Sequence, residues 1–307
     1  MDIFLQQIIN GLVQGSIYAL VALGYTMVYG IMGLINFAHG EVVMIGTLVT
    51  ISVAGFLLKA GLPVALAGTA GLGAAVLVCM ALGWGLERIA YRPLRNAPRL
   101  TPLITAIGMS IVLQNLAMIV WGRNYLTFPP LLPKIDFELA GTNFSAIQIV
   151  IVVVSGLTMG GLLFLIYRTK LGMAMRATAQ NPAVASLMGV NSNRVIAAAF
   201  VIGSALAALA GVMVGSYYEI AHYQMGFMLG LKAFTAAVLG GIGNLGGAMA
   251  GGILLGLIEA LGAGYIGDLT GGFLGSHYQD IFAFVVLIGV LMFKPSGLFG
   301  EKTGDRA

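Results

Sequence analysis

Eight long segments of this chain contain no Asp, Glu, Lys or Arg: residues 3–40, 42–58, 60–86, 100–122, 139–167, 195–218, 233–258 and 281–293. A helix needs about 20 apolar residues to cross the roughly 30 Å hydrocarbon core of a bilayer, and within lipid every backbone N–H and C=O must be bonded inside the protein. Runs of this length point to a bundle of membrane-spanning helices. The strands of a membrane β-barrel would instead alternate over about 10 residues. Composition agrees. With 8% charged and 59% hydrophobic residues, against about 25% and roughly 45–50% in a soluble domain, the chain has too few charges to cover a water-facing surface. A soluble globule is excluded.

Allowing for ends and breaks, helices are expected near 6–32, 39–58, 63–86, 100–121, 145–167, 195–217, 227–243, 248–266 and 279–294. The expected fold is an all-α polytopic membrane protein of eight to ten transmembrane helices with broken or re-entrant segments and a pseudo-repeat of two halves. The 45 glycines favour close helix packing. Residues 1–307 read as one transmembrane domain with 168–194 as an inside loop, because the longest polar stretches, 122–143 and 168–194, are too short to bury cores of their own. The N-terminus lacks the Lys or Arg that opens a secretory signal, so the first run is expected to stay as a span.

Lys and Arg collect on the cytoplasmic side of a membrane protein. Here 11 of the 15 fall at three sites: Arg88, Arg92, Arg95 and Arg99; Arg168, Lys170, Arg176 and Arg194; Lys294, Lys302 and Arg306. An even number of spans separates each site from the next, which puts all three on one side. Three spans precede Arg88, so the N-terminus is expected outside and the C-terminus inside. Two short segments within 227–266 either both cross or form a re-entrant pair, and parity is the same for both. The net charge of +4 is explained by this topology and implies no nucleic acid.

The 168–194 segment carries consistent local signals. Asn181 is a good N-cap, Pro182 suits the first helical position, and Gly189 can take the left-handed conformation that ends a helix. A short helix over 182–188 would expose Val184, Leu187 and Met188 to insert into a groove on a partner. A connector lying on the membrane surface is the alternative. The chain has no G-x-x-x-x-G-K-[ST] phosphate loop, so any ATPase must be a separate chain.

The run from Gly172 through Arg176 and Ala177, then Asn181, Pro182, Ala183, Ala185, Gly189 and Val190, resembles the cytoplasmic coupling loop of binding-protein-dependent ABC importer permeases. More narrowly it resembles that loop in branched-chain amino-acid permeases of the LivH type. Arg176 stands where that loop usually has Glu, Ser186 where it has Ala, and no Leu-Pro closes it. Three further stretches extend the resemblance over the chain's length: Gly15 to Gly30 with Ile35 to Gly46, Arg92-Pro93-Leu94-Arg95, and the glycine-rich run from Phe234 to Gly252. The resemblance implies a permease subunit in the bacterial inner membrane that imports leucine, isoleucine and valine. Its implied partners are a second homologous permease, two ATP-binding cassette ATPases and a periplasmic substrate-binding protein. ATP would be used by those ATPases, and this chain would need no cofactor and no metal. Arg176, Ala177, Asn181, Pro182, Ala183, Val184, Leu187, Met188 and Gly189 are then the coupling residues.

Polar residues interrupt the first apolar stretch at Asn36, His39 and Glu41, with Gly33 and Gly40 beside them to permit unwinding. Transporters bind charged ligand ends at such broken helices, and a carboxyl such as that of Glu41 is costly in lipid. These residues are candidates for the substrate path, and an interfacial turn with Glu41 reaching water is the other reading. His39 reads as a packing residue, since no second metal ligand lies at helical spacing. Five glycines over 239–247 mark a second break, which adds Gly240, Gly241 and Asn244 to the candidate path. Glu219, His222 and Tyr223 are expected in one outside turn and Asp268, His277 and Asp280 in another, facing a substrate-delivering protein or water. The competing class is an ion-coupled secondary transporter of small amphipathic solutes with Glu41 or Glu259 as its coupling group. An intramembrane enzyme is disfavoured, because H-E-x-x-H and G-x-S-x-G are absent and the three His lie in separate segments.

Overall fold

The computed structural model describes residues 2–95, 97–98, 100–131, 135–139, 142–270 and 279–300. Its helices are α1 (Asp2–Met32), α2 (His39–Lys59), α3 (Val64–Gly85), α4 (Leu100–Trp121), α5 (Ala146–Arg168), α6 (Lys170–Gln180), α7 (Pro182–Leu187), α8 (Ser192–Tyr218), α9 (Met225–Gly240), α10 (Leu245–Leu269) and α11 (Gln279–Phe293). α3 runs on through a π-helical turn, Leu86–Tyr91, and a 3-10 turn, Arg92–Leu94. Among the described residues, α1 to α5, α8 and α10 are long and apolar enough to cross a membrane, and α9 and Phe284–Phe293 are shorter apolar helices. The protein is a mostly helical, multi-pass membrane protein.

Side-chain caps set several boundaries. Ser145 and Gln148 form a capping box at the start of α5, and the Asn191 side chain accepts from the Arg194 N–H, so α8 begins three residues before the expected 195. Asn244 caps α10 by accepting from the Gly247 N–H. The second break is therefore confined to 241–244, because Gly246 and Gly247 lie within a helix that the cap has already started.

α1, α2, α8 and α10 form the interior, whereas α3, α4 and α5 bury only narrow strips. The α3 strip is Ala67, Gly71, Ala75, Cys79 and Gly83, every fourth residue and all small. This is the spacing that lets one helix face lie flat against neighbours while the opposite face stays apolar toward lipid. α1 and α10 touch almost backbone to backbone: a Cβ on Gly15 would stand 2.7 Å from the Ile253 Cα.

Three features depart from the sequence reading. The polar 168–194 segment holds a second helix, α6, capped by the Thr169 hydroxyl and burying Met175 and Thr178. It runs alongside α5 and also touches α1 and α8. Strands also occur: β1 (Leu126–Thr127) pairs antiparallel with β4 (Ile220–Ala221), and β2 (Asp136–Leu139) pairs with β3 (Thr142–Ser145). Short ladders satisfy backbone groups in connections too brief for helices. Finally, Asp280 is in the first turn of α11, where its carboxylate pairs with Lys232 of α9 at 2.6 Å, rather than in a solvated turn. His277 and the Asp268 side chain lie outside the described residues, as do Arg99, Lys302 and Arg306.

The remaining basic segments meet at one end of the bundle. Arg95 donates to Asn193 beside the start of α8 at 2.5 Å. Buried Glu87 accepts from both Arg92 and Arg95. Partial burial lowers the pKa of the Arg95 guanidinium from its ordinary value, and the Glu87 carboxylate opposes that shift. Tyr167, Pro182 and Lys294 line one cavity at this end.

Candidate functional site

The first expected break is present. α1 ends at Met32, Gly33 has φ +64°, and α2 starts at His39. Asn36 holds the connection in shape: its side-chain oxygen accepts from the Ala38 N–H at 3.1 Å and from the Tyr91 hydroxyl at 2.8 Å. His39 is buried above Gly24, with its ring edge-on to Tyr25 at 5.0 Å. These contacts make Asn36 a tether to α3 and His39 a packing residue. Gly40 lies against Gly226 and Gly230, so α2 and α9 begin in backbone contact.

Glu41, in the first turn of α2, is completely buried. Burial rules out the interfacial turn that would carry its carboxylate to water. Oε1 accepts from Ser110 at 3.0 Å and Gln114 at 2.7 Å, both on α4, and Oε2 has no hydrogen-bond partner. Ser110 and Gln114 also line a cavity of about 610 Å³, shared with Gln224 and Phe227 at the start of α9 and with Ile107 and Ile111 of α4. Sequence reasoning missed Ser110 and Gln114, since neither stands in a motif and both are isolated polar residues in an apolar run.

The second break does not share that cavity. Gly240, Gly241 and Asn244 sit at the far end of α9, where the C-terminal segment covers them: the Leu298 and Phe299 N–H groups donate to the Leu239 and Gly240 carbonyls, and the Asn244 amide donates to the Phe299 carbonyl. Gly33, Gly243 and Asn244 instead line a second cavity with Tyr29, Pro182 and Lys294, of about 1300 Å³. Gly33 and Asn244 thus line one cavity, while the residues that bond Glu41 line the other.

Glu259 is not available as a free coupling carboxylate. It is fully buried, and its Oε2 accepts from the Tyr18 hydroxyl at 2.7 Å and pairs with Lys232 at 3.1 Å.

In the 168–194 segment, the Asn181 side chain accepts from the Ala183 and Val184 N–H groups, Pro182 occupies the first turn, and Gly189 has φ +83°. Val184, Leu187 and Met188 are 53%, 85% and 80% exposed, whereas Ala185 on the other face is buried. The short helix thus turns Val184 and Leu187 outward, with Met188 at its C-terminal cap, and Ala185 inward. Arg176 folds back onto α5, donating to the Ile166 carbonyl with its guanidinium 5.5 Å from the Tyr167 ring centre. Ala177 accepts through its carbonyl from the Asn181 N–H, joining α6 to α7.

A family profile described as branched-chain amino acid transport system / permease component matches residues 7–291. The chain belongs to this permease family. It is 49% identical to the high-affinity branched-chain amino acid transport system permease protein BraD of Pseudomonas aeruginosa, over 99% of this chain and 98% of that protein. It is 47% identical to LivH of Escherichia coli, over 99% and 97% of the two chains. A more distant relative, the probable branched-chain amino acid transport permease protein LivH of Methanocaldococcus jannaschii, is 28% identical over 97% of this chain and 94% of that one. Both breaks, the Glu41 cavity and α7 fall within the residues matched to the permease family.

Proposed function

We propose that this chain is the membrane-spanning permease subunit of an ATP-driven, binding-protein-dependent importer for leucine, isoleucine and valine in the bacterial inner membrane. The near-full-length identity to permeases named for branched-chain amino acid transport carries the reading, and α7 supplies its mechanism. A periplasmic binding protein delivers the substrate, which crosses between this chain and a second homologous permease. Two ATP-binding cassette ATPases close on ATP and push on α7 through Val184, Leu187 and Met188. ATP is consumed in those partners.

The N-terminus lies on the periplasmic side and the C-terminus in the cytoplasm, with α9 and α11 completing nine crossings in one transmembrane domain. Two helix–break–helix pairs, α1 with α2 and α9 with α10, form a distant repeat. The reciprocal packing of α1 on α10 and of α2 on α9 supports this. The break at 33–38 and the start of α2 form part of the path.

Tagged protein purified from its native membrane in mild detergent tests the assembly. Mass spectrometry should find a second permease and two ATPases in stoichiometric amounts. A chain that purifies alone while still transporting leucine would contradict the reading.

A further inference from the structure

We propose that the cavity between α4 and α9 is a subsite for a free α-amino acid with an aliphatic side chain. Its ammonium is drawn to Glu41, and its side chain lies against Ile107, Ile111, Met228 and Leu231. The proposal deepens the importer reading and rests on it for the direction of transport only.

Three observations meet here. Glu41 is fully buried, yet among the described residues no Lys, Arg or His forms a salt bridge with it. The nearest candidate on α9, Lys232, is already held by Glu259 and Asp280. A carboxyl buried in an apolar bundle stays ionised only with a compensating positive charge and hydrogen bonds. Ser110 and Gln114 supply the bonds to Oε1, while Oε2 is left unpartnered. The missing positive charge is what a ligand would bring.

The second observation is that the two donors to Glu41 also face the cavity. The carboxylate lies one layer behind the wall, and α4, which carries both donors, packs only against α2 and the π-helical turn among the elements with substantial contacts. Only a glycine fits beside Oε2 at position 226, since a Cβ there would stand 2.5 Å from that oxygen. The third is the remaining lining, which is aliphatic and aromatic apart from Gln224. Apolar walls with a few convergent polar groups suit an amphipathic organic ligand at about this volume, whereas a bare metal cation would require several oxygen ligands. Ile107, Ile111, Phe227 and Met228 are 46%, 54%, 54% and 44% exposed, so the cavity opens on the surface of this chain.

The test uses the purified whole complex and a diazirine analogue of L-leucine as the probe. Irradiation should label peptides 107–114 and 225–232. An analogue lacking the α-amino group should label them at least about tenfold less, because it lacks the charge that Glu41 attracts through the wall. Glu41→Gln should reduce labelling by a similar factor. Ile111→Trp, placed on the half-exposed rim where folding is not at stake, should block it, while Phe56→Leu on the outer face of α2 should leave it unchanged. Equal labelling by the two analogues, labelling elsewhere in the chain, or undiminished labelling of Ile111→Trp would overturn the subsite. ATP-dependent leucine uptake by vesicles containing the same complex is scored separately. Labelling without uptake refutes the importer and keeps the subsite; uptake without labelling does the reverse.

Discussion

A methyl group on Gly40 would stand 2.3 Å from the Gly226 carbonyl oxygen and 2.8 Å from the Gly230 Cα. Both are backbone atoms, so relief would require α2 and α9 to separate. Gly40→Ala should therefore destabilise the protein by about 1–3 kcal/mol, the range for overpacking, and lower its melting temperature in detergent. Gly55→Ala is the matching control: it is on the same helix with open space around the new methyl, and its helix propensity should keep stability equal or higher. The charged cluster gives a second expectation. Lys232→Met leaves Glu259 buried with only the Tyr18 hydroxyl as partner, which should cost roughly 3–5 kcal/mol as for any broken buried pair. Adding Glu259→Gln and Asp280→Asn removes the stranded carboxylates and should recover most of the loss, read from the same melting curves. No recovery would mean that Lys232 acts through its packing alone.

Among the elements, α7 is the most informative. Leu187→Asp should leave folding of this chain nearly unchanged, because the side chain is exposed, but it should abolish co-purification of the ATPase and leucine transport, since an unpaired charge buried at an interface costs several kcal/mol. Gly189→Val should lose transport by a different route, by straining the left-handed end of α7. Normal transport by the Leu187→Asp protein would make the segment a connector. This element was legible in advance because its signals are local: an Asn cap, a Pro in the first turn and a Gly at the end lie within nine residues. α6 was not, since the stretch is polar and its burial of Met175 and Thr178 depends on neighbours far along the chain. The first break was legible from Gly33, Asn36 and Gly40, but the partners of Glu41 lie 69 and 73 residues away, and no sequence period connects residues so distant. The glycine-rich run located the second break correctly. It could not indicate that the C-terminal segment would cover Gly240, or that the break would open on a different cavity from Glu41.

For the whole molecule, the uncharged runs were sufficient to specify a helical membrane protein, because in lipid only helices and closed barrels satisfy the backbone and barrel strands alternate over about 10 residues. The sidedness rests on the basic residues, and the structure brings Arg95, Pro182 and Lys294 to one end. Single cysteines at positions 180 and 294, on a Cys79→Ser background, should resist an impermeant thiol reagent added outside intact cells, and one at position 143 should react. Labelling at 180 would invert the topology. What the chain does as a transporter is decided by its energy source. Proteoliposomes holding this chain, its second permease, both ATPases and the leucine-loaded binding protein should accumulate leucine only when ATP is supplied to the ATPases, and vesicles with this chain alone should accumulate none under a proton or Na⁺ gradient. Gradient-driven leucine uptake by the isolated chain would contradict the permease reading outright.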